Sequence, residues 1–284
     1  MSYAFVLTHF GNKEKYLELE LYFLPMLERN TNHDIIYLYS VTDTPPSFLK
    51  AIKKISKKVK CVPYDDTNIT YNISYESVYE HFNTLRTCNF IFAYTLTQYD
   101  KVCCVESDMV IMENLDGVFS LPAPSAHKNM LSDKANESYK TSLDLKKPYK
   151  YPNTINGGVI LLEPSLSSFR KYVDDIPYIV EKNFAYPNEA LFAYTNKVFF
   201  NLPIEYNMSQ YMVAAKDINP VYIYHFDGNP FKPLHIIQDG YLEQIEANPK
   251  KSKIAKVVRF FKETYYDEYK KKINRILKAL PHSP

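Results

Sequence analysis

Short apolar runs alternate with amphipathic segments along the first third of the chain. Tyr3–His9 (YAFVLTH) and 34–41 (DIIYLYSV) are apolar enough for buried strands. Between them, Tyr16, Leu17, Leu21, Leu24 and Leu27 fall at helical spacing within 13–27. Pro46–Ile55 reads as a helix opened by prolines near its first turn. A short strand over 59–63, a mostly helical stretch over 75–97 and a strand over Lys101–Val105 (KVCCV) complete the series. This alternation predicts an α/β fold: a mostly parallel central sheet with helices on both faces, its ligand sites outside the carboxyl ends of the strands.

Past Asp116 the order changes. Ile155–Leu162 is strand-like, 165–182 helical, 188–195 a short helix and 221–225 a strand. The polar, lysine-rich stretch 132–153 reads as a long loop, of a length usually found in functional lids or disordered segments. From residue 250, Val257, Val258, Phe261, Tyr265, Ile273 and Ile276 repeat at helical spacing and predict one helix of roughly 40 Å. The expected organisation is a domain over 1–249 and a basic amphipathic helix over 250–284.

Charge sharpens that division. The 284 residues carry 34 Lys or Arg and 32 Asp or Glu, a formal net of +2. Residues 250–280 hold 11 Lys or Arg against 3 acids, a net of +8, which leaves the remainder at −6. A surface built throughout for nucleic acid is excluded. Two readings of the basic helix stay open: a helix packed on the domain with a solvated cationic face, or an interfacial helix drawn to an anionic membrane. Cys61, Cys88, Cys103 and Cys104 lack C-x-x-C spacing and read as reduced, buried thiols, with Cys103 and Cys104 on opposite faces of a strand. The opening residues lack a signal-peptide pattern, so a cytoplasmic setting is expected and the sequons at Asn68, Asn72, Asn136 and Asn207 are expected to stay unmodified. With six glycines and no G-x-x-x-x-G-K-[ST], a Gly-rich phosphate loop is not expected.

The chemistry concentrates after the KVCCV strand, at Glu106-Ser107-Asp108. Two carboxylates two residues apart at a strand end can converge on one hard divalent cation, and burying both without one is costly. Asp65-Asp66 and Asp174-Asp175 are also acidic, but read as solvated turns.

Three motifs in order carry a resemblance: Glu106-Ser107-Asp108 with 109–116; Asn156-Gly157-Gly158-Val159-Ile160-Leu161-Leu162-Glu163-Pro164-Ser165; and His225-Phe226-Asp227-Gly228-Asn229-Pro230-Phe231-Lys232-Pro233. Together with Leu96-Thr97-Gln98-Tyr99-Asp100-Lys101, they resemble the glycogenin-like retaining glycosyltransferases (glycosyltransferase family 8) over about four-fifths of the chain. The resemblance implies a Rossmann-like, GT-A-type domain that moves a hexose from a UDP-sugar to an acceptor hydroxyl on a glycan, protein or lipid-linked glycan. It implies Mn²⁺, with Mg²⁺ as the alternative, held by Glu106, Asp108 and His225. It places Lys232 on the diphosphate, and Leu7, Thr8 and Tyr16 at uracil and ribose. Ser107, Asn156, Gly157, Gly158 and Gly228 fall beside the donor. Asn188 and Glu189 stand where the family has an Asp-Gln pair near the reacting sugar, and Glu189 is the candidate nucleophile.

The physical chemistry agrees with these roles. Imidazole suits Mn²⁺ better than Mg²⁺, and Lys is a mobile point charge for phosphate. Four departures stand out. Glu106 replaces the usual first Asp, and Asn188-Glu189 reverses acid and amide. Phe90 stands where a Lys is common, with Arg86 one turn earlier as a substitute, and the His225-to-Lys232 spacing is one residue long. These raise a second reading, a UDP-sugar-binding protein with little turnover. A third, from another class, is a peripheral membrane adaptor acting through 250–280. Tyr211 is a candidate self-glycosylation site by analogy with glycogenin.

Overall fold

A computed structural model describes residues 1–76, 84–128, 140–142, 155–209, 220–227, 232–247 and 252–281. Gly228, Tyr211 and most of the expected 132–153 loop lie outside the described residues.

The strands are β1 (Tyr3–His9), β2 (Asp34–Ser40), β3 (Val59–Tyr64), β4 (Lys101–Val105), β5 (Met109–Ile111), β6 (Ser125–Lys128), β7 (Lys140–Ser142), β8 (Ile155–Leu162), β9 (Val198–Asn201), β10 (Met208–Ser209) and β11 (Ile223–His225). Eight of them form one sheet in the order β3-β2-β1-β4-β8-β6-β9-β7. The β3-β2-β1-β4 half is parallel, as alternation with helices requires, and β8 enters antiparallel to β4. A small second sheet, β10-β11-β5, sits at the carboxyl end of β4.

Helix α1 (Glu14–Arg29) follows β1, and α2 (Pro46–Ile55) begins with proline, whose missing N–H costs nothing in a first turn. The expected helix over 75–97 is a 3₁₀ helix over Leu85–Thr95. Helix α3 (Leu166–Lys182) is capped by Ser165, which accepts from the Ser168 N–H at 3.1 Å, and ends at Asn183 in the left-handed region. Helix α4 (Pro187–Asn196) begins with Pro187 and has Tyr186 as its cap residue, which puts Asn188 and Glu189 in its first turn. Two short helices follow, α5 (Pro233–Gln238) and α6 (Leu242–Glu246).

Side-chain alternation divides the core into two layers, one on each face of the sheet. Phe5, Leu7 and Cys103 join the layer under α1 and α2, while Ala4, Val6 and Cys104 join the layer under the 3₁₀ helix, α3 and α4. All four cysteines are free thiols; Cys88, Cys103 and Cys104 are buried as expected, whereas Cys61 is only half-buried.

The C-terminal helix runs as α7 (Ser252–Phe261), a π turn over Lys262–Tyr266, and α8 (Asp267–Lys278). Its apolar positions Val258, Phe261, Tyr265, Ile273 and Ile276 lie in the same layer as α1 and α2. Arg29 of α1 grips it, donating to Glu268 at 2.5 Å beneath the rings of Tyr265 and Tyr269. The apolar stripe is therefore turned toward the protein, as in the first of the two readings, a helix packed on the domain. No helix among the described residues is long and apolar enough to cross one.

Candidate active site

Strand β4 ends at Val105, and the chain turns through Glu106-Ser107-Asp108 before β5. Backbone bonds fix both ends of that turn. The Glu106 N–H donates to the Gly158 carbonyl of β8 at 3.1 Å, and the Phe226 N–H donates to the Asp108 carbonyl at 3.1 Å. Antiparallel pairing of β5 with β11 sets His225 opposite Met109. Residues far apart in sequence are thus brought together by the main chain before any side chain is considered.

One ligand atom from each of Glu106, Asp108 and His225 lies within 4.8 Å of the others. His225 Nε2 stands 3.3 Å from Asp108 Oδ1 and 3.4 Å from Glu106 Oε2. His225 is buried, Asp108 is mostly buried and Glu106 is half exposed. Burial opposes charge on His225, but the Asp108 carboxylate overcomes that effect and raises the histidine's pKa. Burial also opposes charge on Asp108, and His225 and Lys232 overcome it, holding this carboxyl below the usual range.

The other ring nitrogen is tied down. His225 Nδ1 lies 3.1 Å from Asn156 Oδ1 and 3.0 Å from Asn207 Oδ1. The Gly158 N–H donates to Asn156 Oδ1 at 3.0 Å, which fixes the orientation of that amide. Nδ1 therefore carries a proton and donates it, and Nε2 is turned toward the two carboxylates. Neither Asp108 Oδ1 nor His225 Nε2 has a hydrogen-bond partner, although both are buried. Two acidic oxygens and an imidazole nitrogen facing one point are a donor set for a divalent cation, so these residues fit the ion the resemblance implies.

The double glycine has a steric cause here. A Cβ on Gly158 would lie 2.6 Å from His225 Nδ1 and 2.7 Å from Met109 Cε, so the imidazole occupies the missing side chain's place. A Cβ on Gly157 would meet Asn188 Nδ2 at 3.0 Å. His225 and Asn188 thus fill the space of the two missing side chains.

Lys232 donates to Asp108 Oδ2 and, at 2.8 Å, to the Phe226 carbonyl, which places its charge beside the triplet. Glu189 Oε1 accepts from the Gly157 N–H at 3.2 Å. Loss of water raises the Glu189 carboxyl, and Glu106 and Asp227 add repulsion; the pKa is pushed up to about 8. Asn188 Oδ1 is buried without a partner. Ser107 is half-buried between the two acids. Leu7 is buried in the core, Thr8 is half-buried near the end of β1, and Tyr16 is exposed on the first turn of α1.

Three contributors carry no role in the sequence reading. Asn207 holds His225, and Asp227 accepts from Asn156 Nδ2 at 2.8 Å and Ser209 Oγ at 2.6 Å. The third is His127, which pairs with Asn156 in the β6–β8 ladder and is buried with neither ring nitrogen hydrogen-bonded. Burial and the nearby charge of His225 lower its pKa to about 4, so it is neutral.

The expected turn at Asp65-Asp66 is not solvated at Asp66, which is fully buried. It accepts from Arg86 Nε at 2.9 Å, and Arg86 also meets Asp43 at 2.5 Å. Asp43 and Asp66 follow β2 and β3, and the guanidinium lies between the rings of Phe10 and Tyr71. Arg86 thus clamps the carboxyl ends of the parallel strands, its charge already matched by two carboxylates. Phe90 is a core residue packed on Tyr172 and Phe192.

No family model matches the chain. An uncharacterized protein, R707 of Acanthamoeba polyphaga mimivirus, is 25% identical over 246 residues, covering 82% of each chain. The galactosyltransferase LgtC, solved with donor and acceptor sugar analogues, superposes with a TM-score of 0.58 at 14% identity, over 95% of this chain and 99% of that one. Mouse xyloside xylosyltransferase 1 gives a TM-score of 0.53 at 12% identity, over 81% and 99%. At such identities the likeness speaks for architecture, and with the sheet order above it establishes that this chain has the GT-A glycosyltransferase fold.

Proposed function

We propose that the chain is a divalent-metal-dependent retaining glycosyltransferase that moves a hexose from a UDP-sugar to an acceptor hydroxyl on a glycan, protein or lipid-linked glycan. The observation that carries this reading is the convergence of Glu106, Asp108 and His225, with His225 Nε2 3.3 Å from Asp108 Oδ1 and 3.4 Å from Glu106 Oε2. Glu106, Asp108 and His225 would hold Mn²⁺, or Mg²⁺ less well because of the imidazole. When bound, the ion supplies positive charge to the diphosphate oxygens and to the departing UDP.

The protein's own groups do the rest. Asn156 and Asn207 accept from Nδ1 and keep Nε2 aimed at the acids. Lys232 leaves Asp108 for a diphosphate oxygen and stabilises charge developing on the leaving group. Glu189, raised toward neutrality, is a poor nucleophile at pH 7 but can donate a hydrogen bond to the sugar. That favours attack by the acceptor on the face from which UDP departs, without a covalent intermediate. Thr8, Tyr16 and the Leu7 backbone are assigned to the nucleoside side. If the acceptor is membrane-borne, the cationic side of the C-terminal helix would meet the anionic surface.

A second reading, UDP-sugar binding with little turnover, is favoured by the reversed Asn188-Glu189 pair. One experiment separates the two. UDP-sugars are screened with and without Mn²⁺ for a rise in Tm and for UDP release. The enzyme reading expects both signals with at least one sugar, abolished by EDTA. Stabilisation without release across a broad acceptor panel selects the binding reading, and no response to any UDP-sugar overturns both.

A further inference from the structure

The strongest charge asymmetry of the chain is made by two segments distant in sequence. Residues 46–60 hold six lysines and no acid, and residues 269–281 hold four lysines, one arginine and no acid. The fold lays them side by side. Lys272 of α8 donates to the Ile55 carbonyl at the end of α2 at 3.3 Å, and Ile276, Ala279 and Leu280 border a shallow groove with Pro45, Lys50 and Lys54. The two helices therefore lie against each other and run in opposite directions.

Lys50, Lys53, Lys54, Lys57 and Lys58 are all exposed on the α2 side. On α8, Lys271, Arg275 and Lys278 are exposed at i, i+4 and i+7, which is one helix face. The acids around this surface are engaged elsewhere. Asp34 binds Lys60, Glu28 accepts from Ser56, Glu268 binds Arg29 and Asp267 binds Lys262. The cations above are left facing solvent.

We propose that α2 and α8 together form a docking surface for an anionic lipid bilayer, bound by charge and not by insertion. Insertion is ruled out by the burial of the α8 apolar stripe in the core. Three features favour lipid over nucleic acid. The cations are almost all Lys, strongly hydrated point charges suited to a diffuse anionic layer, where Arg forks suit individual phosphates. No aromatic ring stands fully exposed in 46–60 or 269–281 to stack a base. The groove between the helices is apolar at its floor, with Pro46, Ala279 and Pro281 exposed among the lysines. The proposal deepens the membrane reading of the C-terminal helix and is independent of sugar transfer.

Full-length protein is floated with phosphatidylcholine vesicles, and with vesicles holding about a third phosphatidylglycerol. Four proteins are compared: wild type, Lys50→Glu/Lys54→Glu, Lys271→Glu/Arg275→Glu, and a control reversing exposed Lys13 and Lys15. Attraction to the anionic layer adds up over the lysines near it, so either helix variant is expected to bind the anionic vesicles about tenfold more weakly or worse. The control should match wild type, and 0.5 M salt should release all four. Circular dichroism and Tm confirm that the variants are folded. Loss in the α8 variant alone overturns the two-helix surface and leaves the membrane reading standing. No preference of wild type for anionic over neutral vesicles overturns both. Displacement from vesicles by single-stranded RNA at matched phosphate concentration reassigns the face to nucleic acid.

Discussion

The imidazole of His225 rests in the space that a side chain on Gly158 would fill, with Nδ1 2.6 Å from the missing Cβ. That contact joins β8 to β11 and leaves the ring one position, with Nε2 toward Asp108 and Glu106. Gly158→Ala is expected to displace the ring, weaken Mn²⁺ binding by about 10–100-fold and destabilise the fold by about 1–3 kcal/mol. A Mn²⁺ titration followed by Tm measures both. Wild-type affinity in this variant would mean that His225 is not a ligand.

Asn156 acts on the same ring from the other side. Its Oδ1 receives the Gly158 N–H, Asn207 Nδ2 and His225 Nδ1. Asn156→Ala should leave buried donors unpaired and cost about 1–3 kcal/mol each, with Mn²⁺ affinity again about tenfold lower or worse. Chemical denaturation with and without Mn²⁺ checks it: a larger stability loss with Mn²⁺ present is the signature of a ligand-holding role.

Lys232 and a cation compete for Asp108. Lys232→Met therefore should bind Mn²⁺ more tightly than wild type in the absence of nucleotide, yet release UDP more slowly, by about 10²-fold in kcat. Opposite signs in the two assays are the test. A fall in both would place Lys232 in a purely structural role.

At the carboxyl end of β1, His9 Nδ1 meets Glu20 Oε1 at 2.7 Å and Nε2 meets the Gly11 carbonyl at 3.1 Å. Both nitrogens face acceptors, so the ring is an imidazolium. Burial works against that charge, Glu20 more than offsets it, and the folded-state pKa is raised above 6.5. The stabilisation is complete below the unfolded value and fades as pH rises through the folded one. Tm should fall across that interval in wild type and fall less in His9→Gln. An identical slope in both proteins would remove His9 as the cause.

Arg86→Met should strand buried Asp66 and cost about 3–5 kcal/mol. Adding Asp66→Asn should recover part of that loss, measured by urea denaturation. If the double variant is as unstable as the sum of the singles, the two residues are not coupled.

The regular elements were the most legible part of the chain. KVCCV, Pro46–Ile55 and Ile155–Leu162 stand as strand, helix and strand within the expected limits, because each buries a pattern that one secondary structure alone satisfies. Glu106, Asp108, His225 and Lys232 were legible through their motifs, and the structure brings them together. Asn207 was not: it lies at a short 3₁₀ turn with no periodicity, and its role depends on β10 pairing with β11. Asp66 was misread because an acidic pair looks the same whether or not an arginine 20 residues later folds onto it. His127 gave no local signal, since its surroundings come entirely from the ladder to β8.

The β5–β11 pairing has a temporal side. Met109 and His225 are register partners separated by more than a hundred residues, and Lys232 follows His225. Contacts of such span form late and pay loop closure first. A chain emerging residue by residue from the ribosome exposes Glu106 and Asp108 long before His225 exists. The carboxylates therefore wait through more than a hundred residues of synthesis before a three-ligand cage can form, and the cage closes only when the last strand docks.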